Sequence, residues 1–226
     1  MGMRFQDRDQ AGRQLAGLLS RFRGRPDTLI LGLARGGVPV AVALASELGL
    51  PAGVLPVRKL GIPGHTEIAF GALAWSGGQT GEQTGGQVVR ILNRSLVTRL
   101  LALGLTQSSF DEVERRERAE LERRAARYPD STRNLGGKTV ILADDGLATG
   151  ASMRAAVEAV RGAGAARVVV AVPVASLTAQ ASLEPVTQAV FSLHTPGQFR
   201  AVGSYYRMFE QLEDDDVVRL LPGAPG

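Results

Sequence analysis

A chain of 226 residues is long enough to bury one full core, and 44% apolar with 21% charged residues is an ordinary globular balance. There is no cysteine, which excludes disulfides and thiolate metal sites. No window approaches the roughly 18–20 continuous apolar residues of a membrane helix, and MGMRFQDRDQ has no apolar leader segment, so a cytoplasmic protein without a membrane partner is expected. The net charge of +4 is carried mostly by arginine; with aromatics at 5% and no basic run interleaved with rings, nucleic acid is not an expected partner.

Ala11, Leu15, Leu18, Leu19 and Phe22 recur at the spacing of one helix face and predict a helix over 7–22. The run TLILGL predicts a buried strand over 28–33. ARGG follows, then a helix over 38–48 with Pro39 near its first turn, where proline is tolerated. A second buried strand is expected over 52–57 and a loop over RKLGIPGHTE. Two strands, IAFGALAW and QVVRIL, flank SGGQTGEQTGG, which has no hydrophobic period and reads as a flap tip or a tolerated insertion. Residues 95–128 should be mostly helical with a break near Gly104. The pairs Asp111/Arg115, Glu112/Arg116, Glu114/Arg118 and Glu120/Arg124 place an acid four residues before a base, the order that supports a solvated helix. A strand over 138–143, a helix over 151–161, the strand ARVVVAVPV, a short helix over 176–183 and a strand over 187–192 complete the chain. Apolar strands alternating with helices indicate a doubly wound α/β fold, a mainly parallel sheet with helices on both faces. Such sheets bind ligands beyond the carboxyl ends of their strands, and both ARGG and DDGLATGAS fall there.

Three partial motifs do not carry chemistry. GGKTV contains Gly-Lys-Thr, but the first glycine of a P-loop would fall at Thr132 and the segment leads into a strand. LGLARGG has its glycines at 32, 36 and 37, which is not a dinucleotide fingerprint. His65 and Glu67 lack the further histidines or cysteines that a protein-ligated zinc needs, and a structural or substrate-contact role is preferred for them. VILADDGLATGASM is different. Backbone N–H groups at a strand-to-helix turn bind phosphate with help from the helix dipole; Thr149 and Ser152 add hydroxyls, and Gly150 carries no Cβ. Asp144 and Asp145, just before this cradle, are placed to accept hydrogen bonds from vicinal sugar hydroxyls. An Asp-capped turn would explain one aspartate, not two.

This stretch closely resembles the phosphoribosyl diphosphate (PRPP) signature of the type I phosphoribosyltransferases: an apolar run, two acids, then Thr-Gly-x-Thr/Ser. LARGG looks like that family's pyrophosphate loop, which often carries a strained or cis peptide. VRKLGIPG is similar to the flexible-loop entry of adenine and orotate phosphoribosyltransferases. The layout from Arg4 through FRAVGSYYRMFEQLEDDDVVRLL also resembles a less-studied bacterial group with this domain. The resemblance implies one domain over 1–226, with a flap about 58–90, a helical insertion about 95–128 and a C-terminal hood about 194–221. It implies transfer of a 5-phosphoribosyl group from PRPP to a nitrogen acceptor, a nucleobase or similar heterocycle, with release of pyrophosphate. Asp144 and Asp145 would hold the ribose. Ala148, Thr149, Gly150, Ala151 and Ser152 would hold the 5′-phosphate, and Arg35, Gly36, Gly37, Arg58 and Lys59 the diphosphate. Phe199, Tyr205 and Tyr206 would form the acceptor hood. Mg2+ is the implied cofactor, held mainly by PRPP and water near the two aspartates and not by a protein cage. A homodimer is compatible with the resemblance. One departure is Gly146, which replaces a β-branched residue common after the acids. The rival reading is a noncatalytic regulator of the same fold that senses PRPP or a nucleotide.

Overall fold

The computed structural model describes residues 4–77 and 86–221, so most of the Gly/Gln/Thr stretch assigned to the flap lies outside the described residues. A seven-stranded sheet is built from β1 (Thr28–Ala34), β2 (Ala52–Ile62), β3 (His65–Ser76), β4 (Gln87–Leu92), β5 (Thr139–Ala143), β6 (Arg167–Val174) and β7 (Ala189–His194). Its order is β4-β3-β2-β1-β5-β6-β7, parallel from β2 to β7 and antiparallel across β2-β3-β4. The doubly wound class is therefore as expected.

Strand alternation explains why both faces are covered. Along β1, β5 and β6, Ile30, Ile141 and Val169 face α1 (Arg8–Leu18) and α2 (Gly37–Leu48), where they meet Leu15, Leu44 and Leu48. Their neighbours Leu31, Leu142 and Val170 turn to the opposite face and pack with Met153, Val157 and Val160 of α5 (Ala151–Gly162). With both strand faces apolar, a single-face pattern cannot appear, and the strands read as unbroken apolar runs.

The chain departs from expectation at RKLGIPGHTE. This stretch is not a loop: β2 continues to Ile62 and returns as β3, with Arg58 paired to Leu73 and Lys59 to Ala72. The strand persists because Leu60 and Ile62 find an apolar cover in Phe110, Val113 and Leu121 of α4 (Gln107–Arg127), alongside Phe70 and Leu73. Residues 95–128 form α3 (Arg94–Ala102) and α4, separated near Gly104 as predicted. The solvated-face reading of α4 needs correction, however. Phe110, Val113, Glu117, Leu121 and Arg124 form a buried stripe at helical spacing. Of the four ion pairs read from spacing, Glu114–Arg118 and Glu120–Arg124 are formed, while Arg116 turns instead to Glu117. The remaining α-helices among the described residues are α6 (Leu177–Leu183) and α7 (Asp214–Leu220). No helix of the described residues is long and apolar enough to cross a membrane.

Candidate active site

The crossover from β1 through α2 leads to β2 on one side, and the crossover from β5 through α5 leads to β6 on the other. Because β1 and β5 are adjacent, their carboxyl ends diverge into a crevice, the switch point at which open α/β sheets bind ligands. A cleft of about 800 Å³ opens there. Its lining includes Arg35 and Gly36 from the first loop, Asp144, Asp145, Gly146, Ala148 and Ser152 from the second, and Arg58 and Lys59 from β2. Thr149 and Gly150 form the turn after Ala148, and Ala151 opens α5 just before Ser152.

Two glycines let the loops meet. A Cβ on Gly36 would overlap Asp145 Oδ2, and one on Gly37 would overlap the Ala143 carbonyl oxygen. No side chain fits at either position while the acid pair keeps its place. The Ala34–Arg35 peptide, between β1 and these glycines, is cis. In the second loop, Gly150 caps α5 with φ of +77°, a left-handed conformation that L side chains resist. This, more than a nearby backbone, is its requirement. The turn is anchored by Ser176, whose Oγ donates to the Ala148 carbonyl at 2.7 Å, and by hydrogen bonds of Leu147 with the end of β6. The first N–H groups of α5 consequently point outward, since they have no intrahelical acceptor. Gly146 also has a reason in this chain: a Cβ there would fall 2.7 Å from Val202, which fills the space from the C-terminal segment.

The acid pair is held from several sides. Asp145 accepts from Arg8 Nε at 2.9 Å, its carbonyl accepts from Tyr206 Oη at 2.7 Å, and its N–H donates to Asp144 Oδ1 at 2.9 Å. Burial, then the neighbouring Asp145 charge, pushes the Asp144 carboxyl up to about 8. Burial also raises Asp145, against the opposing pull of Arg8. Removing two like charges from water raises both, and the nearby cations offset only part of that cost.

The predicted diphosphate cations are also engaged. Arg58 donates from Nε and Nη2 to Glu117 Oε2, at 2.8 and 2.5 Å, and Arg35 Nη1 lies 3.1 Å from Glu213 and 3.9 Å from Asp214. Lys59 has no ion-pair partner among the described residues and stands exposed at the cleft.

The two chain ends come together beside this site. Phe5 and Tyr206 form a backbone bridge, and their rings lie 5.6 Å apart. Of the hood aromatics expected from the sequence, Tyr206 reaches Asp145, whereas Phe199 and Tyr205 pack with each other, and Tyr205 packs with His194, outside the cleft lining. The ring that does line the cleft is Phe209, stacked on Tyr206 and covered by the Arg8 guanidinium at 3.9 Å. Arg8, Glu117 and Phe209 are not legible in the sequence as site residues. Arg8 begins a helix whose apolar period says nothing of it. Glu117 does leave a signal, since it is an acid on the apolar stripe of α4.

Residues 6–206 match the family model described as the phosphoribosyl transferase domain. Proteins of Mycobacterium tuberculosis strains CDC 1551 and H37Rv, each bearing the name "Putative phosphoribosyl transferase", are 41% identical over 222 residues, which is 97% of this chain. The chain spans about half, 47%, of the length of these curated relatives. The crystal structure of TT1426 from Thermus thermophilus is 40% identical, with a TM-score of 0.74 over 99% of this chain and 100% of that one.

Proposed function

Because the chain belongs to the phosphoribosyl transferase domain family, we propose that it transfers the 5-phosphoribosyl group of PRPP to a nitrogen acceptor, a nucleobase or similar heterocycle, and releases pyrophosphate. The observation that carries this reading is the contact of two loops across adjacent strands. The glycines of ARGG lie against the two aspartates of DDGLATGAS, so an acid pair, an outward-facing helix N-terminus and an arginine loop share one cleft.

Each group has a task on this reading. Residues 148–152 and the first amides of α5 take the 5′-phosphate. Asp144 and Asp145, once ionised, accept from the ribose hydroxyls. Departure of the diphosphate leaves positive charge on the ribose, which two fixed carboxylates stabilise as it develops. Arg35, Arg58 and Lys59 receive the charge growing on the leaving group. Phe209, apolar and at the cleft wall, is the ring available to an acceptor, held in place by Arg8 and Tyr206. The site also suits Mg2+. Burial holds the two adjacent carboxyls in a poorly compensated state that a cation relieves, and among the described residues no cluster of three or more acidic, His or Cys side chains forms a closed cage. Asp144 and Asp145 would hold the ion through water, and it would supply charge neutralisation to the diphosphate.

Calorimetric titration of PRPP with Mg2+, followed by a pyrophosphate-release screen against purines, pyrimidines and small amines, tests the proposal. Binding followed by turnover with at least one acceptor is expected. Binding without turnover across the panel would replace the enzyme by a PRPP sensor.

A further inference from the structure

We propose that Glu117 is a positioning residue, a carboxylate brace that fixes Arg58 on the wall of the diphosphate subsite, with Asp214 anchoring the helix that carries it. The proposal rests on the PRPP reading of the cleft. Neither acid reaches the loops that carry the phosphate cradle. Glu117 lies on α4 and Asp214 at the start of α7, far from each other in sequence, yet both are buried, at 8% residue exposure. Acids in such positions cost stability unless they are paired.

The pairing geometry separates a brace from a plug. Glu117 Oε2 takes the Nε and Nη2 side of the Arg58 guanidinium, and the Arg58 side chain makes no other hydrogen bond among the described residues. Nη1 and the second Nη2 hydrogen therefore stay available to the cleft that Arg58 lines. Arg35 is likewise approached by carboxylates at Nη1 alone. A guanidinium held by one edge has lost its rotamer freedom before an anion arrives at the other, so less entropy remains to be lost on binding.

The brace is tied to the helix beside Arg35. Asp214 accepts from Tyr128 at 2.7 Å and from Arg123 at 2.5 Å, and lies 3.5 Å from Arg124 Nε, three residues of α4 or its end. Arg127 of α4 also pairs with Asp215. The helix that holds Arg58 is thus bonded to the helix that approaches Arg35. The pairing of β1 with β2 spaces the two arginine backbones, and the α4 side chain Glu117 orients the Arg58 guanidinium.

The test is a double-mutant cycle read by calorimetry with inorganic pyrophosphate and Mg2+: wild type, Glu117→Ala, Arg58→Ala and both. Glu117→Ala should weaken pyrophosphate about tenfold and have little further effect in the Arg58→Ala background, because the acid acts through the arginine. Where Glu117→Ala does not fold, Glu117→Gln, which keeps the volume, carries the same cycle. Unchanged or tighter binding in the Glu117 variants would overturn the brace, tighter binding marking the acid as a competitor. Additive losses would also overturn it, since they mark a general structural role. Failure of the wild type to bind either pyrophosphate or PRPP would instead overturn the reading of the site, and the brace with it.

Discussion

Asp144 is the residue at which function and stability pull in opposite directions. Its folded-state pKa is raised above the unfolded value, so the folded protein holds a proton through the interval from about 4 to about 8. The unfolded chain binds fewer protons there. Stability is therefore highest below that interval and falls as pH rises through it. Asp144→Asn keeps the acceptor used by the Asp145 N–H and removes the charge. We expect it to be more stable than wild type above about pH 8, by roughly 1–2 kcal/mol, and similar to it near pH 4, as thermal melts across pH would record. The same variant should lose PRPP affinity. Wild-type affinity should rise between about pH 6 and about pH 9 as Asp144 ionises, by more than in Asp144→Asn, which calorimetry at several pH values measures. Gly36 supplies the second prediction at this scale. Gly36→Ala adds one methyl on top of Asp145 Oδ2, so PRPP binding should fall at least tenfold although the residue touches no core side chain. Undiminished binding in that variant would disprove the close packing of the two loops.

At the scale of elements, α4 and α7 are held together mainly by charge. Burial alone would raise Asp214, but hydrogen bonds from Arg123 and Tyr128 outweigh it and hold the carboxyl below the usual range. A depressed carboxyl contributes stability above its unfolded pKa, and that contribution is lost as pH falls below about 4. Asp214→Ala leaves the Tyr128 hydroxyl and the buried Arg124 without this partner. A loss of about 3 kcal/mol at neutral pH is expected from denaturant unfolding, shrinking toward acid pH. The exposed pair between Arg127 and Asp215 should be worth only a few tenths of a kcal/mol, because water screens it.

Across the whole molecule, the cleft draws on segments from both ends of the chain: Arg8 from the first helix, the two loops of the sheet, and Phe209 from the segment that bridges back to Phe5. A ligand that fills such a cleft binds only the folded state. PRPP at about one hundred times its dissociation constant should therefore stabilise the wild type by about 2.7 kcal/mol. Differential scanning calorimetry would show the rise in Tm, and Gly36→Ala should show little of it at the same PRPP concentration.

The doubly wound sheet, the break between α3 and α4, and the placing of ARGG and DDGLATGAS at strand ends could all be read locally. Apolar runs, glycine positions and strand-to-helix transitions depend on neighbours within a few residues. Adjacent motif residues were legible for the same reason: a cradle made of consecutive amides is itself a local object. What remained hidden depends on distance. RKLGIPGHTE became strand only because α4, some 50 residues later, covers Leu60 and Ile62. Phe209 rather than Phe199 reached the cleft because Arg8 and Tyr206 hold that ring there. Glu117 and Asp214 took their places through pairs spanning the fold: the apolar stripe of α4 marks Glu117 as inward, but nothing local marks which distant arginine it meets. Local sequence therefore determined the parallel part of the sheet and the two loops. Tertiary packing decided which charges and rings surround them, because burial and pairing energies depend on which distant segments come together.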